Sequence, residues 1–130
     1  MSEFVLDASA LIAMLKEEKG AAKVSKAIGA ARMSAVNYAE VVSHFAYLGM
    51  PTTAIDAMLD PLPIKIVPAD HATSRIAGRR LRAVTASAGL SLGDRYCLAL
   101  AQRDGLPAWT SDTHWNRVAG DAGLKVVQIR

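Results

Sequence analysis

The fold is decided by the first apolar stretch of the chain, residues 4–18, which read FVLDASALIAMLKEE. Its first three residues, Phe4 to Leu6, predict a short strand, and the segment from Ala8 to Glu18 has the periodicity of a helix. Further short apolar stretches predict strands at residues 33–35, 64–67, 108–110 and 126–129. Helical patterns lie between the strands at residues 21–30, 36–48, 53–59, 70–87, 91–103 and 112–119.

This alternation of strands and helices sets the fold class. Parallel strands need long crossover connections, and helical stretches of roughly 10–15 residues between strands are typical of them. The sequence therefore predicts an α/β protein, a three-layer α/β/α sandwich whose parallel sheet has about five strands. We expect it to form one domain over residues 1–130.

Composition agrees with a folded domain and excludes several other classes. The chain is 52% hydrophobic, 21% charged and only 5% aromatic, which excludes a disordered, collagen-like or coiled-coil protein. Its net charge is +3, and residues 66–130 hold 9 basic against 5 acidic side chains. This excess permits an anionic partner without requiring one.

The chain shows no sign of export or membrane insertion. Its one cysteine, Cys97, cannot form an intramolecular disulfide, which fits a reducing compartment. Glu3 and Asp7 interrupt the first apolar stretch, so it does not resemble a signal peptide. No stretch approaches the ~20 apolar residues of a membrane span. We therefore expect a cytoplasmic protein without a membrane segment.

Four acidic residues are predicted to meet at one edge of the sheet. Asp7 follows the first strand and Asp112 follows the fourth, so both lie where parallel strands end, which is where sites form in such sheets. Glu40 and Asp94 lie near helix N-termini that face the same edge. The aspartates also have a structural interpretation as helix caps, and Asp94 fits a capping box with Ser91.

Glu40 is harder to explain by capping, because it lies too deep in its helix and has apolar neighbours. A buried carboxylate needs a partner, either an arginine or a metal ion shared with the other acids. Clustered carboxylates repel one another, and an all-oxygen set suits Mg²⁺ or Mn²⁺. Ser9 and Thr110 lie beside the acids, and their hydroxyls either hydrogen-bond the carboxylates or serve in helix capping and turns.

The contexts of the four acids resemble those of the PIN-domain nucleases. The segments concerned are DASAL at 7–11, NYAEV at 37–41, SLGDRYCLALA at 91–101 and WTSDTHW at 109–115. Within that family, the length and these contexts are most similar to VapC, the toxin of a type II toxin–antitoxin pair. The resemblance extends over essentially the whole chain.

The resemblance implies a fold, an activity and partners. It implies a five-stranded parallel sheet ordered third, second, first, fourth, fifth. It implies a metal-dependent endoribonuclease that leaves a 5′-phosphate and a 3′-hydroxyl, acts on structured RNA such as transfer or ribosomal RNA, forms a homodimer and binds a VapB-like antitoxin. The residues that match metal-binding and catalytic positions are Asp7, Glu40, Asp94 and Asp112, with Ser9 and Thr110 supporting them.

Several basic residues have two interpretations. Arg75, Arg79 and Arg82 fall on one face of a regular helix, either as a solvated surface or as a stripe that contacts RNA phosphates. Arg95 is a candidate salt-bridge partner for its neighbour Asp94. His114 either lies on the surface or contacts a phosphate near Asp112.

Alternative functions remain open at this point. A PIN nuclease of RNA processing would carry the same acids as a toxin. A non-catalytic PIN-like RNA-binding module would typically have lost some of them. A receiver-type signalling domain lacks support, because the predicted strand at 64–67 ends in Pro68 and Ala69 rather than in an acceptor aspartate.

Overall fold

The computed structural model describes residues 2–118, 120 and 123–130. Its centre is one sheet of parallel strands in the order β3-β2-β1-β4-β5. This confirms both the predicted parallel sheet and the strand order that the resemblance implied. The strands are β1 (Phe4–Leu6), β2 (Ala31–Ser34), β3 (Lys65–Val67), β4 (Ala108–Thr110) and β5 (Val126–Gln128).

Helices connect the strands, close to where the sequence predicts them. The α-helices are α1 (Ala8–Leu15), α2 (Ala21–Ala27), α3 (Ala35–Tyr47), α4 (Thr52–Leu59), α5 (His71–Arg75), α6 (Leu81–Thr85) and α7 (Leu92–Asp104). Short 3-10 helices occupy Ile28–Ala30, Ala86–Ala88 and Thr113–Arg117. No helix in the described ranges is long and apolar enough to span a membrane.

Several predicted helices differ in detail, and the one predicted at 21–30 is an α-helix only to Ala27 and a 3-10 helix over Ile28–Ala30. The first ends at Leu15 because Glu17 adopts a left-handed conformation, with φ 56°. The predicted helix at 70–87 contains a π-turn, Ile76–Arg80, between α5 and α6. The predicted helix at 112–119 is a 3-10 helix over Thr113–Arg117, and its predicted end at Ala119 lies outside the described residues.

The core confirms the three-layer arrangement. Successive side chains of a strand point to opposite faces of a sheet. Accordingly Phe4 and Leu6 of β1 pack in an apolar cluster with α1 to α4, whereas Val5 packs in a second cluster with α7 and the segment from α5 to α6. Both faces of the sheet are therefore covered by helices, and the carboxyl ends of the strands remain as the place for a site.

Polar side chains begin the helices at this edge. Asp7 caps α1, and its carboxylate accepts a hydrogen bond from the backbone N–H of Ser9. Ser34 caps α3 by accepting from Val36, and Ser91 caps α7. These caps fix where each helix starts, and so they fix where Glu40 of α3 and Asp94 of α7 lie.

Candidate functional site

Asp7 is the buried centre of the candidate site. Only 3% of its surface is exposed, yet it carries a carboxylate. The hydroxyls of Ser9 and Thr110 both donate to its Oδ2, at 2.6 Å and 3.0 Å. The pKa of Asp7 is raised from 3.8 to about 7, mainly by burial and also by the charges of Asp94 and Glu40, while the two hydroxyls oppose the shift. The predicted supporting residues thus contact this acid directly.

The same two hydroxyls join the ends of β1 and β4. The backbone N–H of Asp112 donates to the Thr110 hydroxyl, and that of Ser111 donates to the Ser9 hydroxyl, each at 3.1 Å. The two hydroxyl oxygens also lie 3.1 Å apart. Ser9 and Thr110 therefore donate to a carboxylate and also accept hydrogen bonds that shape the turn after β4. The two roles proposed from the sequence, support of an acid and turn formation, are both present.

Glu40 lies in the second turn of α3 and faces α7. The Asn37 side-chain amide donates to its Oε1 at 2.7 Å and to the carbonyl of Gly93 at 2.9 Å. Glu40 retains access to solvent, but partial burial of its carboxylate raises its pKa, and Asp94 adds to that rise against the Asn37 hydrogen bond. The sequence predicted that the Glu40 carboxylate needs a partner, and the side chain that hydrogen-bonds it is the amide of Asn37 rather than an arginine.

Asp94 closes a capping box and also belongs to the acidic cluster. Its Oδ2 accepts from the backbone N–H of Ser91 at 3.0 Å, and its own N–H donates to the Ser91 hydroxyl at 3.2 Å. Its charge also contributes to the raised pKa of both Asp7 and Glu40. Capping and clustering are therefore simultaneous properties of this carboxylate.

Asp112 lies at the margin of this cluster. It caps the 3-10 helix, and its Oδ1 accepts from the backbone N–H of His114 and contacts the His114 ring Nδ1, both at 2.9 Å. Its carboxylate is 37% exposed. The link from Asp112 to the buried Asp7 runs through its backbone and the Thr110 hydroxyl. The structure thus groups Asp7, Glu40 and Asp94 most closely and places Asp112 beside them.

The donor chemistry of this cluster fits a hard divalent cation. All the acids offer oxygen, and a bound cation would relieve the mutual repulsion that adds to the effect of burial in raising the pKa of Asp7 and Glu40. Across the described ranges, however, no three His, Cys, Asp or Glu side chains are arranged to hold a metal ion as they stand. Asn37 holds one oxygen of Glu40 and the Ser91 backbone one oxygen of Asp94, and within the described residues these contacts leave the other oxygen of each carboxylate for an ion. The chemistry therefore fits the ion, although the carboxylates as they stand do not yet surround one.

The basic residues are arranged less regularly than the sequence suggests. Arg75, Arg79 and Arg82 are all exposed, and in the part of the chain that the structure describes none forms an ion pair. The π-turn lies between the first and the last of them, so the spacing of a regular α-helix, from which one common face was predicted, is interrupted. Their role with RNA stays a prediction.

Arg95 does not pair with its neighbour Asp94. Its guanidinium instead donates to the carbonyl of Ala77, inside the π-turn, at 2.8 Å and to the Ser91 carbonyl at 3.4 Å. Arg95 thus ties the start of α7 to the segment that carries the exposed arginines.

Sequence reasoning missed two residues of the site, Asn37 and Gly93. Asn37 lies one helical turn before Glu40, which is a visible signal for a local contact. Its second hydrogen bond, to a carbonyl 56 residues away, has no signal in a single sequence.

Comparisons with known proteins agree with this geometry. The PIN domain family matches residues 4–121. Ribonuclease VapC42 of Mycobacterium tuberculosis is 32% identical over 112 residues, covering 79% of this chain and 86% of the relative. The VapBC-5 toxin–antitoxin structure from the same species has 25% identity and a TM-score of 0.64, over 98% of this chain and 99% of that one. DNA-bound VapBC from Salmonella typhimurium shares the fold, with a TM-score of 0.76 and 14% identity over the full length of both chains. On these grounds the chain belongs to the PIN domain family and, within it, to the VapC proteins.

Proposed function

We propose that this chain is a metal-dependent endoribonuclease that acts as the VapC-type toxin of a toxin–antitoxin pair. The observation that carries the proposal is the convergence of Asp7, Glu40 and Asp94, from three separate elements, at the carboxyl edge of the sheet. The printed names of the VapC relatives, which call them ribonucleases, support RNA as the substrate. The printed title of the VapBC-5 structure, which names a toxin–antitoxin system, favours a toxin over a nuclease of RNA processing.

The proposed metal is Mg²⁺, with Mn²⁺ as a substitute, held by Asp7, Glu40, Asp94 and Asp112. When bound, such an ion lowers the pKa of water and offsets the negative charge that develops on a phosphodiester under attack. The four carboxylates supply oxygen ligands of the type that these ions prefer.

The chain's own residues have distinct parts in this proposal. Ser9 and Thr110 hold Asp7 by hydrogen bonds that favour its ionised form. Asp94 lies in the first turn of α7, where the helix dipole favours a negative charge. Oε2 of Glu40 has no hydrogen-bond donor within the described residues, so it can take the proton of the attacking water. The water oxygen then bonds to phosphorus as the bond to the 3′-oxygen breaks, and the departing 3′-oxygen takes a proton from solvent water, giving a 5′-phosphate and a 3′-hydroxyl.

The proposed partners follow from the same relatives. Solved structures with this fold include a toxin–antitoxin complex from Klebsiella pneumoniae and DNA-bound VapBC, which supports a VapB-like antitoxin for this chain. We propose structured RNA, such as transfer or ribosomal RNA, as the substrate, with Arg75, Arg79 and Arg82 contacting its phosphates. A homodimer is supported by the exposed end of α3, where Tyr47 is 90% and Leu48 59% exposed. Sedimentation of the purified chain tests the dimer.

Cleavage of total cellular RNA tests the proposed activity. The purified, antitoxin-free protein is incubated with Mg²⁺, Mn²⁺ or EDTA beside two variants, Asp7→Asn and the exposed-surface control Asp56→Asn. We expect discrete cuts with either metal, none with EDTA, none with Asp7→Asn, and unchanged cutting with the control. End mapping then identifies the substrate.

Other outcomes would favour the alternatives. Cutting that persists in EDTA or in Asp7→Asn contradicts the acidic metal site. A folded protein that binds RNA without cutting it is the non-catalytic module. Cutting without growth arrest on expression indicates a processing nuclease rather than a toxin.

A further inference from the structure

Asn37 is a fully buried polar side chain at the contact between α3 and α7. It is 0% exposed, and its Nδ2 donates to both Glu40 Oε1 and the Gly93 carbonyl. Both partners are acceptors, so the nitrogen of the amide must face them and the orientation of the group is fixed. Its Oδ1 is buried and has no hydrogen-bond partner within residues 2–118, 120 and 123–130. The side chain thus commits its donors to Glu40 and to α7.

Gly93 provides the space on the other side of the Glu40 carboxylate. A Cβ atom added at Gly93 would lie 2.4 Å from Glu40 Oε2 and 2.6 Å from its Oε1. Gly93 is not among the residues with positive φ, so its backbone does not require glycine. The missing side chain is explained by the carboxylate that occupies its place.

Stability alone does not account for this arrangement. Glycine within a helix is less favourable than alanine. A buried acceptor without a partner is unfavourable as well. Two locally unfavourable features meet in one contact, and such violations are expected at functional sites.

We propose that Asn37 and Gly93 are positioning residues, which form a seat that holds the Glu40 carboxylate against α7 for metal binding. The seat fixes Glu40 beside the first turn of α7, one residue from Asp94, so that both carboxylates can act on one divalent cation. The role of this seat in metal binding rests on the proposed function, whereas the contacts that form the seat are independent of it.

The test uses Gly93→Ala, with Gly29→Ala as a matched control. A Cβ at Gly29 meets nothing within 4 Å, whereas the one at Gly93 must push the flexible end of Glu40 out of the seat. We expect Gly93→Ala to fold, with a Tm no lower than that of the wild type, because alanine favours the helix. Its kcat on RNA and its affinity for Mn²⁺, measured by water proton relaxation, should each fall about tenfold or more. KM for RNA should stay unchanged, and the control should match the wild type throughout.

A spectroscopic measurement tests the geometry without metal or RNA. Both Asn37 Nδ2 protons are hydrogen-bonded, so the side-chain ¹H–¹⁵N signals should be shifted downfield and protected from exchange. These signals should move in Gly93→Ala and stay in place in Gly29→Ala. Should Gly93→Ala fail to fold, Asn37→Ser removes the amide that donates to Glu40 and to Gly93, and we expect the same losses of kcat and Mn²⁺ affinity.

The outcomes separate the two proposals. Unchanged Asn37 signals with unchanged Mn²⁺ affinity in Gly93→Ala overturn the seat, even if the wild type cleaves RNA. A wild type that neither cleaves RNA nor binds Mn²⁺ overturns the proposed function and the metal-binding purpose of the seat. In that case, moved Asn37 signals would still support the geometry.

Discussion

The hydroxyl of Thr110, at the end of β4, donates a 3.0 Å hydrogen bond to the buried carboxylate of Asp7, at the end of β1. The hydroxyl is itself fully buried and accepts the backbone N–H of Asp112. One side chain therefore orients an acid on one strand and the turn that carries another acid on its neighbour.

Replacing this hydroxyl by a methyl group should weaken the site more than the fold. We expect Thr110→Val to lower RNA cleavage about 10–100-fold, the usual effect of removing a partner of a metal ligand. Unfolding free energy should fall by about 1–3 kcal/mol, because the Asp112 N–H loses its acceptor. Cleavage rates and urea unfolding check both, with the exposed-residue variant Thr52→Val as control. Cleavage at the wild-type rate would show that the Asp7–Thr110 contact is only structural.

The metal-free protein should lose stability as the pH rises from about 4 to about 7. The pKa of Asp7 is about 7 in the folded protein against an ordinary value of 3.8, so the folded state binds this proton more tightly than the unfolded state does. The difference amounts to at most about 4 kcal/mol. The raised pKa of Glu40 acts in the same direction, whereas the lowered pKa values of Asp70 and Asp104 matter only at still lower pH.

Urea unfolding in EDTA across this pH range measures the effect. Asp7→Asn should remove most of the dependence and should be more stable than the wild type near neutral pH. Added Mg²⁺ should restore stability to the wild type at neutral pH, since a ligand that binds the folded state stabilises it. A wild type whose stability is flat between these pH values would contradict the burial of a charged Asp7.

The two roles of Asp94 can be separated by mutation. Asp94→Asn keeps an oxygen that can accept from the Ser91 N–H, so we expect it to retain its stability and lose RNA cleavage. Ser91→Ala removes the hydroxyl that caps α7 and keeps the Asp94 carboxylate, so it should lose about 1 kcal/mol of stability and retain cleavage. Thermal unfolding and cleavage assays on both variants decide. If Asp94→Asn cleaves normally, the residue is a cap alone.

The exposed arginines should contribute to RNA binding through its phosphates. Replacing Arg75, Arg79 and Arg82 together by alanine should weaken binding and reduce the slope of log K against log salt by up to about three. The matched control replaces three exposed lysines elsewhere, Lys16, Lys19 and Lys26. Fluorescence anisotropy with labelled RNA at several salt concentrations gives the slopes. Equal slopes for the wild type and the arginine variant would assign these side chains to a solvated surface.

The layers and the sheet could be predicted because they follow from local patterns. Each strand is a short apolar stretch between helical ones, and Asp7 follows the last residue of β1 without an intervening loop. Since parallel strands end at one edge, placing Asp7 and Asp112 together needed only the strand boundaries. The family resemblance added the strand order, which these patterns do not determine.

The features that the sequence did not predict depend on contacts between segments that are distant along the chain. The Asn37 amide reaches a carbonyl on α7, and Arg95 reaches one inside the π-turn. Neither contact follows from the periodicity of its own helix. The π-turn itself arises where buried residues repeat at every fourth position, at Thr73, Ala77, Leu81 and Thr85, which a regular 3.6-residue helix would not keep in line.

That π-turn also affects how related chains should be aligned. A turn of this kind holds one residue more than an α-helical turn, so it corresponds to a single-residue insertion. A homologue that lacked a residue at Gly78 would form an unbroken α-helix, and the helix after the gap would keep nearly the direction that it has here, because the π-turn absorbs the extra residue. A homologue of equal length with an unbroken α-helix would instead have its residues at the positions of Arg79 and Arg82 rotated by about 100°, despite aligning without a gap. Basic residues on the two sides of Ile76–Arg80 should therefore be compared separately among homologues.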